Sequence, residues 1–199
     1  MRKSVTKNRG TAMELLTADE GQMAIRSARG AIENVCAKRQ KPKLNLTPVF
    51  NGKRGVFVTL TKAGELRGCI GLPYPVMALG DAIEHAATAA AIEDPRFPPV
   101  RKDELELITV EVTILTVPVP LEGESSDRPK KIVVGRHGLI VRGMGTSGLL
   151  LPQVATEYGW DATTFLDHTC MKAGLPGRCW TNPATEILTF EGQIFTEKH

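Results

Sequence analysis

Cysteine is scarce in this chain of 199 residues, with four in all, at Cys36, Cys69, Cys170 and Cys179. Their spacing matches neither a zinc framework nor a Cys-x-x-Cys redox motif. Reduced thiols in a cytoplasmic protein are therefore the simplest expectation. No apolar run approaches the length of a membrane span, and no secretory apolar segment follows the basic N-terminus, so neither membrane insertion nor export is expected. Nucleophile elbows of the Gly-x-Ser-x-Gly type, P-loops and dinucleotide fingerprints are missing too. No closely spaced carboxylate pair stands out. His168 and Cys170, two apart, diverge on a helix and form no ready metal pair. No metal site is expected, and no cofactor is assigned.

Charge of one sign is also lacking. The formal net charge is +3, with 24% charged and 42% hydrophobic residues. That is an ordinary globular balance, long enough for one substantial domain or two small lobes. It permits contact with an anionic ligand without demanding nucleic acid. Basic residues gather at Arg2, Lys3, Lys7 and Arg9, and again at Lys38, Arg39, Lys41, Lys43, Lys53 and Arg54. A solvated surface accounts for such groupings, so nucleic-acid binding is not the leading expectation.

What is there reads as alternating helices and strands. Residues 1–12 lack periodicity and are expected to be an arm. Thr17 and Glu20 form a capping box, opening a helix whose stripe is Ile25, Ala28, Ile32, Val35 and Cys36, and which Lys41-Pro42 ends. Residues 55–71 predict a β-hairpin around the short connection Thr61-Lys62-Ala63-Gly64. A second helix is expected from Val76 to Glu93, stopping at Asp94-Pro95, with Arg96 on a proline-stiffened loop. Ile108, Val110, Val112 and Ile114 alternate with Thr109, Glu111 and Thr113, the pattern of a half-buried strand. The polar stretch 122–131 is the best internal linker. A hairpin-like region follows, in which Ile132–Val134 turns through Gly135–Gly138 into Leu139–Val141 and a glycine loop leads to Leu149–Leu151. Helices are expected near Pro152–Tyr158 and Asp161–Ala173, and strand structure around a Gly192 turn in 185–196.

The hexapeptide Leu66-Arg67-Gly68-Cys69-Ile70-Gly71 is the most informative stretch. Strand alternation places Val56, Val58, Leu60, Leu66 and Ile70 in apolar sets, with Phe57, Arg67 and Cys69 on the opposite parity. Arg67 and Cys69 are thus expected to share a face, roughly 7 Å apart, where a guanidinium favours thiolate over thiol. Cys69 becomes a candidate nucleophile, with His85 or His137 as a base recruited in space, His85 carrying the weaker assignment of catalytic base. Arg67 and Arg96 are candidate anion contacts. Phe97 joins them, and the backbone amides of Gly68 and Gly71 are placed to stabilise negative charge. An inert, packed cysteine with structurally paired arginines fits the same residues.

Several separated segments resemble one known family. The hexapeptide, Asp94-Pro95-Arg96-Phe97-Pro98-Pro99, the strand around Thr109–Val112, Leu150–Val154 with Tyr158-Gly159-Trp160, and Lys172-Ala173-Gly174-Leu175 are similar to the AMME chromosomal region (AMMECR) domain family. The resemblance covers roughly residues 12–196. It implies an α+β fold of antiparallel sheets with packed helices, in two unequal lobes around a cleft. On this chain the larger lobe would comprise 1–130 with 185–199, and the smaller 131–184. The resemblance also implies cytosolic occurrence, and a Memo-like or radical-SAM protein as partner. It brings no established reaction. Three functional readings follow. The first is an enzyme or enzyme component using Cys69 on a small anionic substrate. The second is a non-catalytic adaptor for such a partner, and the third RNA or nucleotide binding through the basic clusters.

Overall fold

A computed structural model describes residues 15–198. The expected N-terminal arm, with Arg2, Lys3, Lys7 and Arg9, lies outside the described residues. In chain order the helices are α1 (Ala18–Ala37), α2 (Leu79–Ile92), α3 (Pro152–Glu157) and α4 (Ala162–Lys172). The strands of the first half are β1 (Val56–Lys62), β2 (Glu65–Leu72), β3 (Ile108–Leu115) and β4 (Val119–Pro120). Those of the second are β5 (Gly138–Gly143), β6 (Thr146–Leu150), β7 (Glu186–Phe190) and β8 (Gly192–Thr196). The fold is α+β. Two four-stranded antiparallel sheets run in the orders β2-β1-β3-β8 and β4-β7-β5-β6.

The capping box forms as expected: Glu20 N–H donates to Thr17 Oγ1 at 3.3 Å and Thr17 N–H to Glu20 Oε2 at 2.9 Å. Helix α1 buries Ile25, Ala28 and Ile32, while Val35 and Cys36 pack at the margin of the same core. It stops at Lys38, which turns left-handed (φ 57°), before Lys41-Pro42 is reached. The Pro42 ring instead covers Gly30, where a Cβ would lie 2.3 Å from Pro42 Cδ.

Helices α1 and α2 cover one face of the first sheet, against Val56, Val58, Leu60, Val110, Val112 and Ile114. Each such side chain contributes about 1.5–3 kcal/mol by leaving water. Alanines at 82, 86, 87 and 90 let α2 lie close to the strands. This helix starts at Leu79 rather than Val76, because Ala78 is held extended by a bridge to Lys53. The β1–β2 turn has positive φ at Ala63 and Gly64 (52° and 84°), the geometry whose twist matches a tight hairpin.

Other expectations are corrected. The stretch 122–131 is no free linker: Ser125–Lys131 forms a 3-10 turn, and buried Arg128 donates to the carbonyls of Trp180 and Asn182. Ile132–Val134 is not a strand, since the Val133 carbonyl accepts the N–H groups of Arg136 and His137 in a tight turn. The hairpin there is β5–β6, turning at Met144 and Gly145. Strands β7 and β8 do not pair with each other around Gly192. The chain changes sheets at Glu191, sending β7 to β5 and β8 to β3. Consequently β4 and β7, both outside 131–184, belong to the second sheet.

The expectation of four reduced thiols is also overturned, as Cys170 and Cys179 form a disulfide. Gly174 (φ 75°) reverses the chain after α4 and brings Cys179 back over its last turn. Such closeness is invisible in linear spacing. Asp161 caps α4, its Oδ1 accepting the Thr164 N–H at 2.7 Å. Among the described residues, no helix is long and apolar enough to cross a membrane.

Candidate functional site

One extra residue decides the geometry of the hexapeptide. The β1–β2 register pairs Thr59 with Cys69 and Leu60 with Gly68, then Thr61 with Leu66. Arg67 is the unpaired residue of a β-bulge, which breaks the alternation on which a shared face depended. Cys69 faces away from the helices, alongside Phe57 and Thr59. Gly68 faces them so closely that a Cβ would lie 2.2 Å from the Ala90 carbonyl oxygen. Gly71 is the seat of the Phe57 ring, 2.1 Å from where its Cβ would be.

Arg67 turns toward the 3-10 segment Lys102–Leu107. Its guanidinium donates to Glu104 Oε1 at 3.2 Å and Oε2 at 3.0 Å, and to the carbonyls of Pro98 and Pro99 at 2.9 and 3.4 Å. Glu104 also accepts from Lys62 Nζ at 3.0 Å and the Arg101 N–H at 3.1 Å. These donors, Arg67 first, bring its acidity to about 2 against the cost of burial. Arg67 is therefore turned to Glu104 rather than to Cys69. Burial pushes the Cys36 thiol up, and the Arg67 charge offsets part of that rise.

Strand β2 is a sheet edge, and Cys69 presents its outward main-chain groups there. Its N–H donates to Asp94 Oδ2 at 2.8 Å, and its carbonyl accepts from Arg96 Nη2 at 3.3 Å. Arg96 in turn grips Asp94 through Nε at 3.0 Å and Nη2 at 2.7 Å. Asp94 is only 4% exposed. The Arg96 hydrogen bonds hold its carboxyl well below the usual carboxylate range. The pair thus satisfies an edge that would otherwise be open to another strand. Arg96 also lies over the Phe97 ring, 5.5 Å from its centroid.

The far face of the first sheet, polar by alternation, is covered by residues of the second-sheet region, leaving a cavity of about 550 Å³. A cross-strand row carries its chemistry: Cys69 on β2, Thr59 on β1, Glu111 on β3 and Thr196 on β8 stand in register. Thr59 Oγ1 donates to Cys69 Sγ at 3.4 Å, and Thr196 Oγ1 to Glu111 Oε2 at 3.3 Å. Arg136, Gln153 and Glu191 reach the cavity from the other side. Arg136 Nε donates to Glu191 Oε1 at 2.8 Å. His137 stands behind them, its Nδ1 accepting the Val133 N–H at 3.2 Å and its Nε2 3.9 Å from Glu191. Burial lowers its pKa, Glu191 partly countering the effect.

Of the expected site residues, Cys69 alone lines this cavity with a functional side chain. Arg67, Arg96, Phe97 and His85 are not among the described residues lining it. His85 is exposed on α2, the helix covering the opposite face of the sheet, and so cannot act as a base for Cys69. Thr59, Glu111 and Glu191 were missed. The alternation of Thr59 and Glu111 was legible, but not that a second layer would enclose that face. Among the described residues, no group of three His, Cys, Asp or Glu is placed to hold a metal ion.

The model of the AMMECR1 family matches residues 25–195, from within α1 to β8. A protein of Methanosarcina barkeri is 52% identical over 189 residues, covering 92% of this chain and 93% of its own. A protein of Methanothermobacter thermautotrophicus is 54% identical over 185 residues, covering 92% and 96%. The crystal structure of an uncharacterized protein from Pyrococcus horikoshii is similar at 43% identity and a TM-score of 0.75, over 92% of this chain and 94% of that one. Sequence match and fold agree over nearly the whole chain: the chain belongs to the AMMECR1 family.

Proposed function

We propose that the chain is an enzyme or enzyme component working through the Cys69 thiol in the cavity between its sheets. One observation carries the reading: a free, half-buried cysteine faces a cavity of about 550 Å³ with a hydroxyl donor on its sulfur. The thiol is the nucleophilic group of cysteine chemistry, and the Thr59 hydroxyl orients its sulfur in the cavity. The cavity is within the size range of small-molecule sites. The Asp94–Arg96 clamp holds both the N–H and the carbonyl of the cysteine at the strand's outer edge, so the sulfur is presented from a rigid edge.

The two arginines expected to bind an anionic substrate are both committed to carboxylates, so they no longer support that substrate class. Basic residues near the end of α1 are paired as well, Arg39 with Glu33 and Lys41 with Glu84, which weakens the nucleic-acid reading. The adaptor reading draws on exposed apolar side chains such as Met144 (91%) and Tyr158 (69%).

Iodoacetamide labelling followed by peptide mass mapping tests the proposal. Cys69 is expected to react before Cys36, and faster than the thiol of a short unfolded peptide carrying the same residues. A rate at or below that peptide's removes the nucleophile. A folded Cys69→Ser protein that keeps full biological activity and still captures a Memo-like or radical-SAM partner would favour the adaptor.

A further inference from the structure

We infer that the cavity takes a ligand with a cationic head, an amine or amidine on an apolar body, and that Glu111 is its counter-ion. The inference rests on reading this cavity as the functional site of Cys69. It reverses the sign of the substrate expected from the arginines of the sequence.

The charge inventory is the first argument. Among the described residues, the charged side chains lining the cavity are Glu111, Arg136 and Glu191. Arg136 and Glu191 neutralise each other at 2.8 Å. Burial lowers the pKa of His137, behind the pair, and so disfavours a positive charge there, Glu191 partly countering the effect. One negative charge is left, on Glu111.

The second is the pairing of Glu111. Asp94, Glu104, Glu191 and Glu197 each hold an arginine. Glu111, half-buried at mid-sheet, bonds to the Thr196 hydroxyl and makes no ion pair with any described residue. A half-buried carboxylate that lines a cavity and lacks a cation attracts one.

Shape is the third. Phe57, Leu115, Leu151 and Ile194 give apolar walls suited to an aromatic or aliphatic body, and the Phe57 ring can add a cation–π contact. Thr59 stands between Glu111 and Cys69 in the row. Two strand spacings separate them, about 10 Å between main chains. A molecule one ring long, anchored by its head at Glu111, would bring its other end to the thiol.

Benzylammonium and benzoate, of one shape and opposite charge, are the probes. Binding is followed by calorimetry, and occupancy by protection of Cys69 from iodoacetamide. The intact protein is expected to bind benzylammonium and not benzoate, with Cys69 protected only by the cation. Glu111→Gln, nearly isosteric, is expected to weaken benzylammonium binding about tenfold or more, the scale of one charge-assisted hydrogen bond. Equal or stronger binding of benzoate to the wild type overturns the inference without relying on any variant. So does benzylammonium affinity unchanged in a folded Glu111→Gln protein. A Cys69 inert to iodoacetamide, with Glu111-dependent benzylammonium binding intact, would sink the thiol reading and leave the cationic site standing.

Discussion

The main-chain N–H of Cys69 donates to the buried carboxylate of Asp94 at 2.8 Å, a contact made across 25 residues of sequence. It links the edge of the first sheet to the loop that follows α2. Arg96, on the same loop, returns to the Cys69 carbonyl. The edge strand is thus closed by a side-chain pair instead of a neighbouring strand.

Asp94→Asn is expected to cost about 1–3 kcal/mol, because a charge-assisted acceptor is lost. The sign of its pH dependence follows from a folded-state acidity below the unfolded value of about 3.9. The stabilisation is complete above that value and lost as pH falls below about 4. Glu104, lowered to about 2, acts in the same direction. Chemical denaturation from neutral pH down to strongly acid pH should show stability falling with acid in the wild type, and a shallower fall in Asp94→Asn. Equal slopes would refute the role given to this carboxylate.

Arg67 and Glu104 make a largely enclosed pair, so removing one partner strands the other. Glu104→Gln is expected to destabilise by about 3 kcal/mol. The double variant Arg67→Met with Glu104→Leu should be more stable than either single change, measured by urea midpoints. Arg67→Met should also leave the alkylation rate of Cys69 unaltered, because the bulge turns Arg67 toward Glu104. A marked fall in that rate would restore the shared face expected from strand alternation.

The two glycines flanking Cys69 should respond differently to alanine. Gly68→Ala drives a Cβ against the Ala90 carbonyl, a backbone atom of α2, and is expected to cost about 2–3 kcal/mol by overpacking. Gly71→Ala meets only the Phe57 ring, which can swing. Since Phe57 lines the cavity, the second change should alter benzylammonium binding more than thermal stability. Comparing melting temperatures with binding constants for both variants decides the matter.

The disulfide gives a simple count. Under denaturing, non-reducing conditions thiol titration should find Cys36 and Cys69 free, with Cys170 and Cys179 silent until a reductant is added. Cys170→Ser should lower stability by about 2.5 kcal/mol through the lost loop constraint. Four titratable thiols before reduction would contradict the pairing.

The sequence alone determined the elements whose causes are near neighbours. Thr17 and Glu20 cap α1, the alternation of Ile108–Ile114 makes β3, and Pro152 and Asp161 start α3 and α4, because caps and periodicity act over a few residues. The segments resembling a known family were legible for the same reason. Only the tertiary structure decided which faces meet. A single extra residue at Arg67 inverted its side of the hairpin and gave it Glu104 as a partner. Register across three strands aligned Cys69, Thr59 and Glu111, and the crossing at Glu191 put β7 and β8 in separate sheets. Those outcomes depend on contacts between residues far apart in the chain, and a side-chain period of two makes each of them reversible by one position.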